Sequence, residues 1–427
     1  MNTFPPEWQN LKVVLAHDWL TGMRGGERVL EILCRAFPAA PIHTLFYNPE
    51  AVSDVIRRHS VKTSWLQNIP GILKYYRNFL PFFPSAMESM RAEGPADLVI
   101  STSHCVAKGL IAPKGTRHLC YCFTPMRYAW VFYGEYFGNN PLKKALLAPI
   151  LSRIRHWDRE SSARVDYFVT LSNHVRKRIK DFYGREADVV YPPCDFSFWT
   201  PELIRPPEAA IPSASAGGAN PAERGASPLV YHASSVGEPF LQTARPEASP
   251  YLFEIQDKPH KNYDLVVSAL VPYKRIDLAV RAYAKLGYPL KIVGTGTETA
   301  KLKAMAAKNV EFLGRIPDNQ LRELYRHCRA LIFPGEEDFG IVPVEAQACG
   351  RPVVAFARGG VLETVADGVS GTFFEEQNEE ALLDAVQKCA LKKWDFSAIR
   401  KNAARFSEQN FINGLAACIR KCLATGK

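Results

Sequence analysis

Two carboxylates and a glycine form the first cluster of residues that could do chemistry. The stretch PGEEDFGIVPVEAQACG places Glu337 in a predicted loop with Gly340, and Glu345 at the predicted start of the helix VEAQAC. A loop carboxylate can accept hydrogen bonds from sugar hydroxyls, and a carboxylate beyond a helix start can accept them from a ribose diol. The main-chain N–H groups of Phe339, Gly340 and Ile341 would face a ligand where the helix begins.

Two adjacent cations precede this cluster. Lys274 and Arg275 lie in VSALVPYKRIDLAV, between a predicted strand and the next helix. Such a pair can neutralise the charge on a departing pyrophosphate. Alternatively, both side chains are simply solvated at the surface. Further on, LKIVGTGTE places Gly294 and Gly296 after a strand, where glycine permits close approach of a ligand to the backbone.

The first half of the chain has a glycine turn of its own. In DWLTGMRGGER, Gly22, Gly25 and Gly26 follow the predicted strand Leu11–His17 and precede a predicted helix. Backbone N–H groups and a helix N-terminus at this point could contact phosphate. The pattern is neither GxGxxG nor a Walker loop, so an ordinary strand-to-helix turn remains open.

The elements that must position these residues alternate between short apolar strands and amphipathic helices. In the first half the predicted strands include LKVVLAH, ADLVISTS, RHLCYCFT and DYFVTLS; in the second half they include YDLVVSAL, LKIVGTG, VEFLG, ALIFP and PVVAF. Strands that are apolar throughout, interleaved with helices, predict parallel sheets covered on both faces. We therefore expect an α/β protein with two doubly wound, Rossmann-like domains and a cleft at the carboxyl ends of their strands.

A change in composition predicts the domain boundary. Residues 201–262 are rich in Pro, Ala, Ser and Gly and include PSASAGGANPAERGAS, which predicts a disordered linker or insertion. This divides the chain into a first domain, 1–200, and a second domain, 263–405. The periodic stretch 406–427 predicts a final helix that packs back on the first domain.

Composition and charge exclude several classes of protein. The 427 residues are 47% hydrophobic and carry 53 Lys and Arg against 43 Asp and Glu, a net charge of +10. This content supports globular cores, and the surplus favours phosphate-bearing or anionic partners. Ten scattered cysteines without CxxC spacing predict buried, reduced thiols. No apolar run suits a membrane span and no secretion signal is visible, so we expect a cytoplasmic protein.

The second half resembles the donor domain of glycosyltransferase family 4, whose members have the two-domain fold called GT-B. The resemblance rests on VSALVPYKRIDLAV, VGTGTETAKL, NVEFLGRIPDNQLRELY and FPGEEDFGIVPVEAQACGRPVVAF, and is continuous over residues 263–390. In the first half, HDWLTGMRGGERVLEIL, STSHCVAKG and YCFTPMRYAW are similar to bacterial mannosyltransferases of O-antigen and exopolysaccharide assembly.

The resemblance implies a role for each matching residue. Lys274 and Arg275 would hold the diphosphate, Glu345 the ribose, and Glu337 the transferred sugar. Phe339, Gly340, Ile341 and Gly294 would complete the donor site. The backbone of Arg315 and Ile316 would border the base, while Gly22 and Gly25 would face the phosphates from the first domain. For the acceptor side the candidates are Asp18, His104, Thr124 and Arg127.

The implied activity is retaining transfer of a hexose, with mannose from GDP-mannose favoured, to a glycan or lipid-linked acceptor in cell-surface polysaccharide synthesis. The chain has no DxD motif, so Lys274, Arg275 and helix N-termini would replace a metal, and no cofactor is expected. One departure is Phe123, because the family has HTP where this chain has FTP. A second is Ala269, where many relatives have Arg.

Other functions remain open from the sequence. A nucleotide-sugar epimerase or hydrolase could use the same fold without an acceptor, and a weakly active nucleotide-binding partner subunit would accommodate Phe123. A nucleic-acid-binding protein is suggested only by charge and lacks any recognised motif. The aromatic and basic stretches SWLQNIPGILKYYRNFLPFFP and YAWVFYGEYF suit either core packing or contact with an anionic membrane surface that carries the acceptor.

Overall fold

The computed structural model describes residues 4–130, 141–201 and 262–424. The predicted linker, 201–262, therefore lies almost entirely outside the described residues, as does most of YAWVFYGEYF. The rest of the chain forms two parallel β-sheets covered by helices, which confirms the predicted α/β class and the two Rossmann-like units.

The first sheet has seven strands in the order β3-β2-β1-β4-β5-β6-β7, all parallel. The strands are β1 Val13–His17, β2 Ile42–Thr44, β3 Val61–Thr63, β4 Leu98–Ser103, β5 Arg117–Cys122, β6 Tyr167–Thr170 and β7 Ala187–Val189. The helices are α1 Gly25–Ala36, α2 Asp54–Arg57, α3 Ile72–Tyr75, α4 Phe83–Ser89, α5 Arg127–Trp130, α6 Pro141–Ser162 and α7 Asn173–Tyr183. Short 3-10 helices lie at Pro6–Asn10, Pro49–Ala51, Trp65–Asn68, Tyr76–Phe82 and Ala107–Gly109.

The second sheet has six parallel strands in the order β10-β9-β8-β11-β12-β13. The strands are β8 Asp264–Val267, β9 Leu290–Val293, β10 Val310–Gly314, β11 Leu331–Phe333, β12 Val353–Phe356 and β13 Gly371–Phe374. The helices are α8 Ile276–Leu286, α9 Thr299–Met305, α10 Asp318–His327, α11 Ile341–Ala348, α12 Val361–Thr364, α13 Glu379–Leu391, α14 Phe396–Ala403 and α15 Glu408–Ala424. Short 3-10 helices lie at Pro272–Lys274 and Ala404–Phe406.

The order of strands reverses once in each sheet, between β1 and β4 and between β8 and β11. In sheets of this kind the connections leave in opposite directions at that point, so a crevice opens beyond the carboxyl ends of the two strands. The loops that follow these four strands contain Asp18, His104, Lys274 and Glu337. The topology thus brings together residues that are up to 319 positions apart in the sequence.

The last helix, α15, packs on the first sheet although it follows the second sheet in the chain. Phe411 lies against Tyr121 of β5 at a ring-centroid distance of 5.8 Å, and Lys421 forms an ion pair with Asp188 of β7 at 2.6 Å. The chain returns from the second sheet to the first just before α15. At this point the Cys194 N–H donates to the Phe406 carbonyl at 2.8 Å. We call the first sheet with its helices and α15 the first lobe, and the second sheet with its helices the second lobe.

All ten cysteines are buried and none forms a disulfide, in agreement with the sequence interpretation. For example, burial raises the pKa of Cys328 to about 12, so this thiol is a packing group rather than a nucleophile. In the described residues no helix is both long enough and apolar enough to cross a bilayer.

Candidate functional site

A cleft of about 1430 Å³ lies between the two lobes. This volume exceeds the 300–1,000 Å³ typical of a site for one small ligand, and so leaves room for two substrates. Of the predicted site residues, the structure places nine on the cleft wall: Gly25, His104, Arg127, Lys274, Glu337, Phe339, Gly340, Ile341 and Glu345.

Lys274 and Glu337 meet in this cleft and form an ion pair. Lys274 ends the 3-10 helix Pro272–Lys274 after β8, and Glu337 lies in the loop after β11. Their side chains retain 11% and 25% exposure, so both are mostly withdrawn from water yet open to a ligand. In a partly desolvated cleft, a cation can bind an anion and a neighbouring carboxylate can bind hydroxyl groups. A pair of this kind suits a ligand in which an anionic group is joined to a polyol.

The loop that carries Glu337 is fixed from behind by a glycine pair. The Gly360 N–H donates to the Glu337 carbonyl at 2.8 Å, and Glu337 forms an isolated bridge with Gly359. Gly359 has φ +78°, and a Cβ at this position would lie 2.4 Å from the Glu337 carbonyl oxygen. A side chain there would therefore displace the loop, which makes the glycine part of the structure that positions Glu337.

Asp338, the neighbour of Glu337, joins the two lobes. Its carboxylate accepts hydrogen bonds from Arg127 at 2.6 Å and from Arg178 at 2.5 Å, and its carbonyl accepts one from the Ser172 hydroxyl at 2.6 Å. Burial alone would raise the pKa of Asp338, but the charges of Arg127 and Arg178 outweigh it and lower the pKa. Arg127, predicted on the acceptor side, thus lines the cleft while holding the loop of Glu337.

A second carboxylate of the second lobe, Glu363, binds the first lobe at the start of α7. It accepts hydrogen bonds from the backbone N–H groups of Asn173 at 2.9 Å and His174 at 3.1 Å. A carboxylate at a helix N-terminus pairs with N–H groups that have no partner within the helix. Together with the contacts of Asp338, this contact links the two lobes.

On the first lobe, the predicted acceptor residue Asp18 is buried behind the cleft wall. Its carboxylate accepts four backbone hydrogen bonds from residues 104–107, at 2.6 to 3.0 Å, and lies 2.9 Å from His104 Nδ1. Burial alone would raise the pKa of Asp18, but His104 holds it well below its usual range. Asp18 therefore fixes the loop, and His104 is the residue that faces the cleft.

The glycine turn faces the cleft through the start of α1 rather than through Gly22. Gly25, Gly26 and Arg24 line the cleft. A Cβ on Gly26 would lie 3.2 Å from the Phe123 ring and 3.6 Å from the imidazole of His17. Phe123 thus lies on the cleft wall with His17 close by, whereas Thr124 is buried and accepts a 3.4 Å hydrogen bond from Arg178.

Glu345 lies in the second turn of α11, four residues after the helix begins at Ile341. The sequence predicted a later start, but Pro343 is accommodated in the first turn of the helix, where its missing N–H is not needed. The Tyr325 hydroxyl donates to Glu345 Oε2 at 3.0 Å, and this bond lowers the pKa of Glu345. Burial is the larger effect and raises that pKa to about 8, so the carboxyl is largely protonated at pH 7.

This raised pKa predicts how stability depends on pH. In the unfolded chain Glu345 loses its proton near pH 4.5, whereas in the folded protein it keeps the proton up to about pH 8. The unfolded state therefore binds fewer protons over this interval, and stability falls as pH rises, by up to about 1.4 kcal/mol per pH unit from this group. We expect urea midpoints of Glu345→Gln to fall less between pH 5 and 8 than those of the wild type; parallel curves would contradict the assignment.

Arg275 does not share the cleft with Lys274. It begins α8 in a left-handed conformation, φ +51°, and its guanidinium donates to Gln377 at 2.8 Å and Asp277 at 3.2 Å. Of the two adjacent cations that the sequence assigns to the diphosphate, Lys274 lines the cleft and Arg275 does not. Arg275 instead stabilises the start of α8.

Six other predicted site residues also lie outside the cleft lining. Gly294, at φ +131°, comes so close to Ser268 that a Cβ would lie 1.8 Å from its carbonyl oxygen. Chain packing therefore requires glycine here, and Gly294 does not line the cleft. The remaining predicted residues outside the cleft lining are Gly22, Arg315, Ile316, Asp18 and Thr124.

Sequence reasoning missed the residues that link the lobes at the site, Arg178, Asp338 and Glu363. The two arginine partners of Asp338 lie 160 and 211 positions before it, and no local pattern pairs them. The only sequence signal was an acidic side chain directly after Glu337. Within the described ranges, no group of three His, Cys, Asp or Glu residues is placed to hold a metal ion.

Comparison with known families gives one match in the second half of the chain. Residues 251–409 match the family model Glycosyl transferases group 1. An uncharacterized glycosyltransferase of Methanocaldococcus jannaschii is 32% identical over 35% of this chain and 44% of that protein. A D-inositol 3-phosphate glycosyltransferase of Acidothermus cellulolyticus is 33% identical over 38% of this chain and 41% of its own length. The matches thus span less than half of these relatives.

Solved structures resemble the chain over nearly its whole length. Sucrose-phosphate synthase from Thermosynechococcus elongatus aligns with a TM-score of 0.62 at 15% identity, covering 97% of this chain and all of that one. Anabaena HepE in complex with UDP aligns with a TM-score of 0.61 at 14% identity, over 96% of this chain and all of HepE. At these identities the likeness establishes the shared GT-B fold.

Proposed function

We propose that this protein is a glycosyltransferase that moves a hexose from a nucleoside diphosphate sugar to a saccharide acceptor. The observation that carries the proposal is the contact between Lys274 and Glu337 on the wall of the interlobe cleft. One supplies a cation for a diphosphate and the other a carboxylate for sugar hydroxyls, which are joined in such a donor. The match of residues 251–409 to Glycosyl transferases group 1 supports it.

The donor would extend along the second lobe. Lys274 binds the diphosphate, and the backbone N–H groups at the start of α11, from Phe339 to Ile341, lie on the same wall. Glu345 hydrogen-bonds the ribose, and Glu337 the hydroxyls of the hexose. From the first lobe, the N-terminus of α1 at Gly25 faces the phosphates, because its N–H groups have no partner within the helix.

The reaction would retain the configuration at the anomeric carbon and need no metal. The acceptor oxygen attacks that carbon on the face from which the diphosphate leaves, and the acceptor proton passes to the departing phosphate oxygen. The new bond joins the anomeric carbon to the acceptor oxygen, and the bond to phosphate breaks. Lys274 offsets the charge that develops on the diphosphate, at a point in the cleft where its own side chain is only 11% exposed.

For the donor we favour GDP-mannose, and for the acceptor a glycan or lipid-linked saccharide of cell-surface polysaccharide synthesis, reached through peripheral contact with an anionic membrane. This choice rests on the first-half motifs that resemble mannosyltransferases of O-antigen and exopolysaccharide assembly. The comparison structures include HepE with UDP and with UDP-glucose, so donors with other bases belong in the test.

Two other functions have weaker support. A nucleotide-binding partner subunit with little transferase activity is favoured by Phe123, an apolar ring on the cleft wall where resembling enzymes have histidine. A nucleotide-sugar epimerase or hydrolase would use the same donor wall. The interlobe volume favours transfer over this last function, because it leaves space for an acceptor.

A donor screen tests the proposal. GDP-, UDP-, ADP- and dTDP-sugars are added to the purified protein in thermal-shift measurements, and we expect GDP-mannose to give the largest shift. At about 100 times its Kd a ligand stabilises the folded state by about 2.7 kcal/mol, which is a shift of several degrees. Mass spectrometry of products with saccharide acceptors then tests transfer. Absence of any shift contradicts the proposal, and turnover without acceptor favours a hydrolase.

A further inference from the structure

An exposed aromatic and basic surface lies on the first lobe beside the cleft. Of the nine exposed large hydrophobic side chains in the described residues, four lie between positions 65 and 82. They are Trp65, Leu73, Tyr75 and Phe82, at 45%, 36%, 52% and 50% exposure. We call these four residues, with the exposed Lys74 and Arg77, the aromatic surface.

The aromatic surface is the outer side of an amphipathic segment. Between its exposed residues the chain buries Leu66, Ile72, Tyr76 and Leu80 in the core of the first lobe. The rings of Trp65 and Phe82 lie 6.5 Å apart, edge to face, so residues from the two ends of the segment form one patch. The packed inner side of the segment holds these rings in contact with water, which is unfavourable for apolar surface. Docking on a nonpolar partner would remove this surface from water.

The charged side chains of the stretch that forms the aromatic surface are all basic. From Val55 to Met87 the chain has five Lys and Arg residues and no Asp or Glu. Two of the five are in ion pairs with carboxylates outside this stretch, Lys62 with Glu93 and Arg57 with Asp54. Lys74 and Arg77 instead lie over the rings of Tyr75 and Tyr76. Aromatic rings with basic side chains and no carboxylate suit the headgroup region of an anionic bilayer.

The aromatic surface is connected to the wall of the cleft. Tyr76 and Phe83 follow Tyr75 and Phe82 in the chain and point inward, where their rings pack on Trp19 at 5.5 Å and 6.0 Å. Trp19 lines the cleft and lies edge-on against His104 at 4.5 Å. A partner on the aromatic surface would therefore lie next to the first-lobe side of the cleft, opposite the wall that carries Lys274 and Glu337.

We propose that the aromatic surface docks on an anionic lipid bilayer and holds the cleft beside it, so that an acceptor carried by that bilayer reaches the first-lobe side. The part that concerns the acceptor rests on the proposed function. The docking itself stands on the exposure, ring packing and charge of residues 65–82.

Sedimentation with lipid vesicles tests the docking. The purified protein is mixed with vesicles of phosphatidylglycerol and phosphatidylcholine in equal parts, and with phosphatidylcholine alone, in 0.1 M salt. We expect the wild type to bind the anionic vesicles at least tenfold more strongly than the vesicles of phosphatidylcholine alone. Trp65→Ala/Phe82→Ala should reduce this partitioning about tenfold, since both rings are half-exposed anchors. Lys74→Glu/Arg77→Glu should reduce it by about 30-fold or more, because each basic side chain near such a surface contributes about fivefold.

Matched variants on the second lobe control for nonspecific hydrophobic binding and for the change in net charge. Leu391→Ala, at a side chain that is 89% exposed, is the control for the aromatic substitutions. Lys303→Glu/Lys308→Glu, at two exposed lysines, is the control for the charge reversals. Both should bind as the wild type does. All replaced side chains are exposed, and an unchanged melting temperature verifies folding.

Equal binding to neutral vesicles, equal losses in the control variants, or no binding by the wild type would each overturn the docking. No nucleotide sugar enters this experiment, so a protein that docks but transfers no sugar refutes the proposed function alone. An active protein that does not bind vesicles refutes the docking alone.

Discussion

Glu337→Gln is expected to lower the rate of sugar transfer by about 10²–10⁴-fold while nucleotide binding is retained. The carboxylate would accept hydrogen bonds from two hydroxyls of the transferred hexose, and each bond to a charged group contributes about 1.5–3 kcal/mol. Steady-state kinetics with the donor found in the screen measures kcat, and calorimetry measures the Kd of the nucleoside diphosphate.

The ion pair with Lys274 sharpens this prediction. Lys274 contacts the Glu337 carboxylate, so a diphosphate that binds this ammonium group would compete with Glu337 for it. Glu337→Gln removes the competing charge, and the Kd for the nucleoside diphosphate should stay the same or fall. Weaker diphosphate binding would contradict this geometry.

Glu336→Gln is the matched control for Glu337. Glu336 is the neighbouring carboxylate of the same loop, but it points to His174 and Arg178, at 3.5 and 4.0 Å, rather than to Lys274. We expect its activity to remain within a fewfold of the wild type. If both variants lose activity equally, the loop as a whole matters and Glu337 has no special role.

Lys274→Ala is expected to lower both donor binding and turnover, the latter by about 10²–10³-fold, the loss typical of removing one group that stabilises developing charge. The substitution leaves Glu337 without its cation, and this carboxylate then repels the diphosphate. Calorimetry with the nucleoside diphosphate and initial rates with the full donor measure the two effects. Lys274→Arg should recover part of each, because it keeps the charge.

Arg275→Ala separates the sequence prediction from the structural one. The sequence pattern assigns Lys274 and Arg275 alike to the diphosphate, whereas the structure turns Arg275 toward Gln377 and Asp277. We therefore expect Arg275→Ala to change the nucleotide Kd by less than threefold. Equal weakening by Arg275→Ala and Lys274→Ala would show that both cations reach the phosphates and that the cleft rearranges on binding.

The fold was predictable because its signals are local. Strands buried on both faces require continuous apolar runs, and helices on a sheet require one apolar side, so β1, β4, β8 and β11 are visible in the sequence without knowledge of their partners. The ends were less accurate: the predicted strand Leu11–His17 begins only at Val13. Element ends depend on hydrogen bonds to other strands, which no local pattern contains.

The positions of Lys274 and Glu337 on the cleft wall were predictable from the sequence, whereas the contacts between the lobes were not. Lys274 and Glu337 follow strands whose carboxyl ends must face the cleft, so strand order alone brings them together. By contrast, Asp338 forms ion pairs with Arg127 and Arg178 of the first lobe, which lie far from it in the sequence. The raised pKa of Glu345 likewise arises from its burial in the folded protein.

By itself, the sequence determined the class of fold, the positions of the loops that follow the strands, and the residue types in those loops, because each follows from short-range patterns of hydrophobicity and turn residues. Only the tertiary structure decided which of two adjacent cations faces the cleft, which carboxylate is protonated, and which rings remain in solvent. These properties depend on what surrounds a side chain in space, since dielectric environment, ion pairing and exposure are set by neighbours that lie far away along the chain.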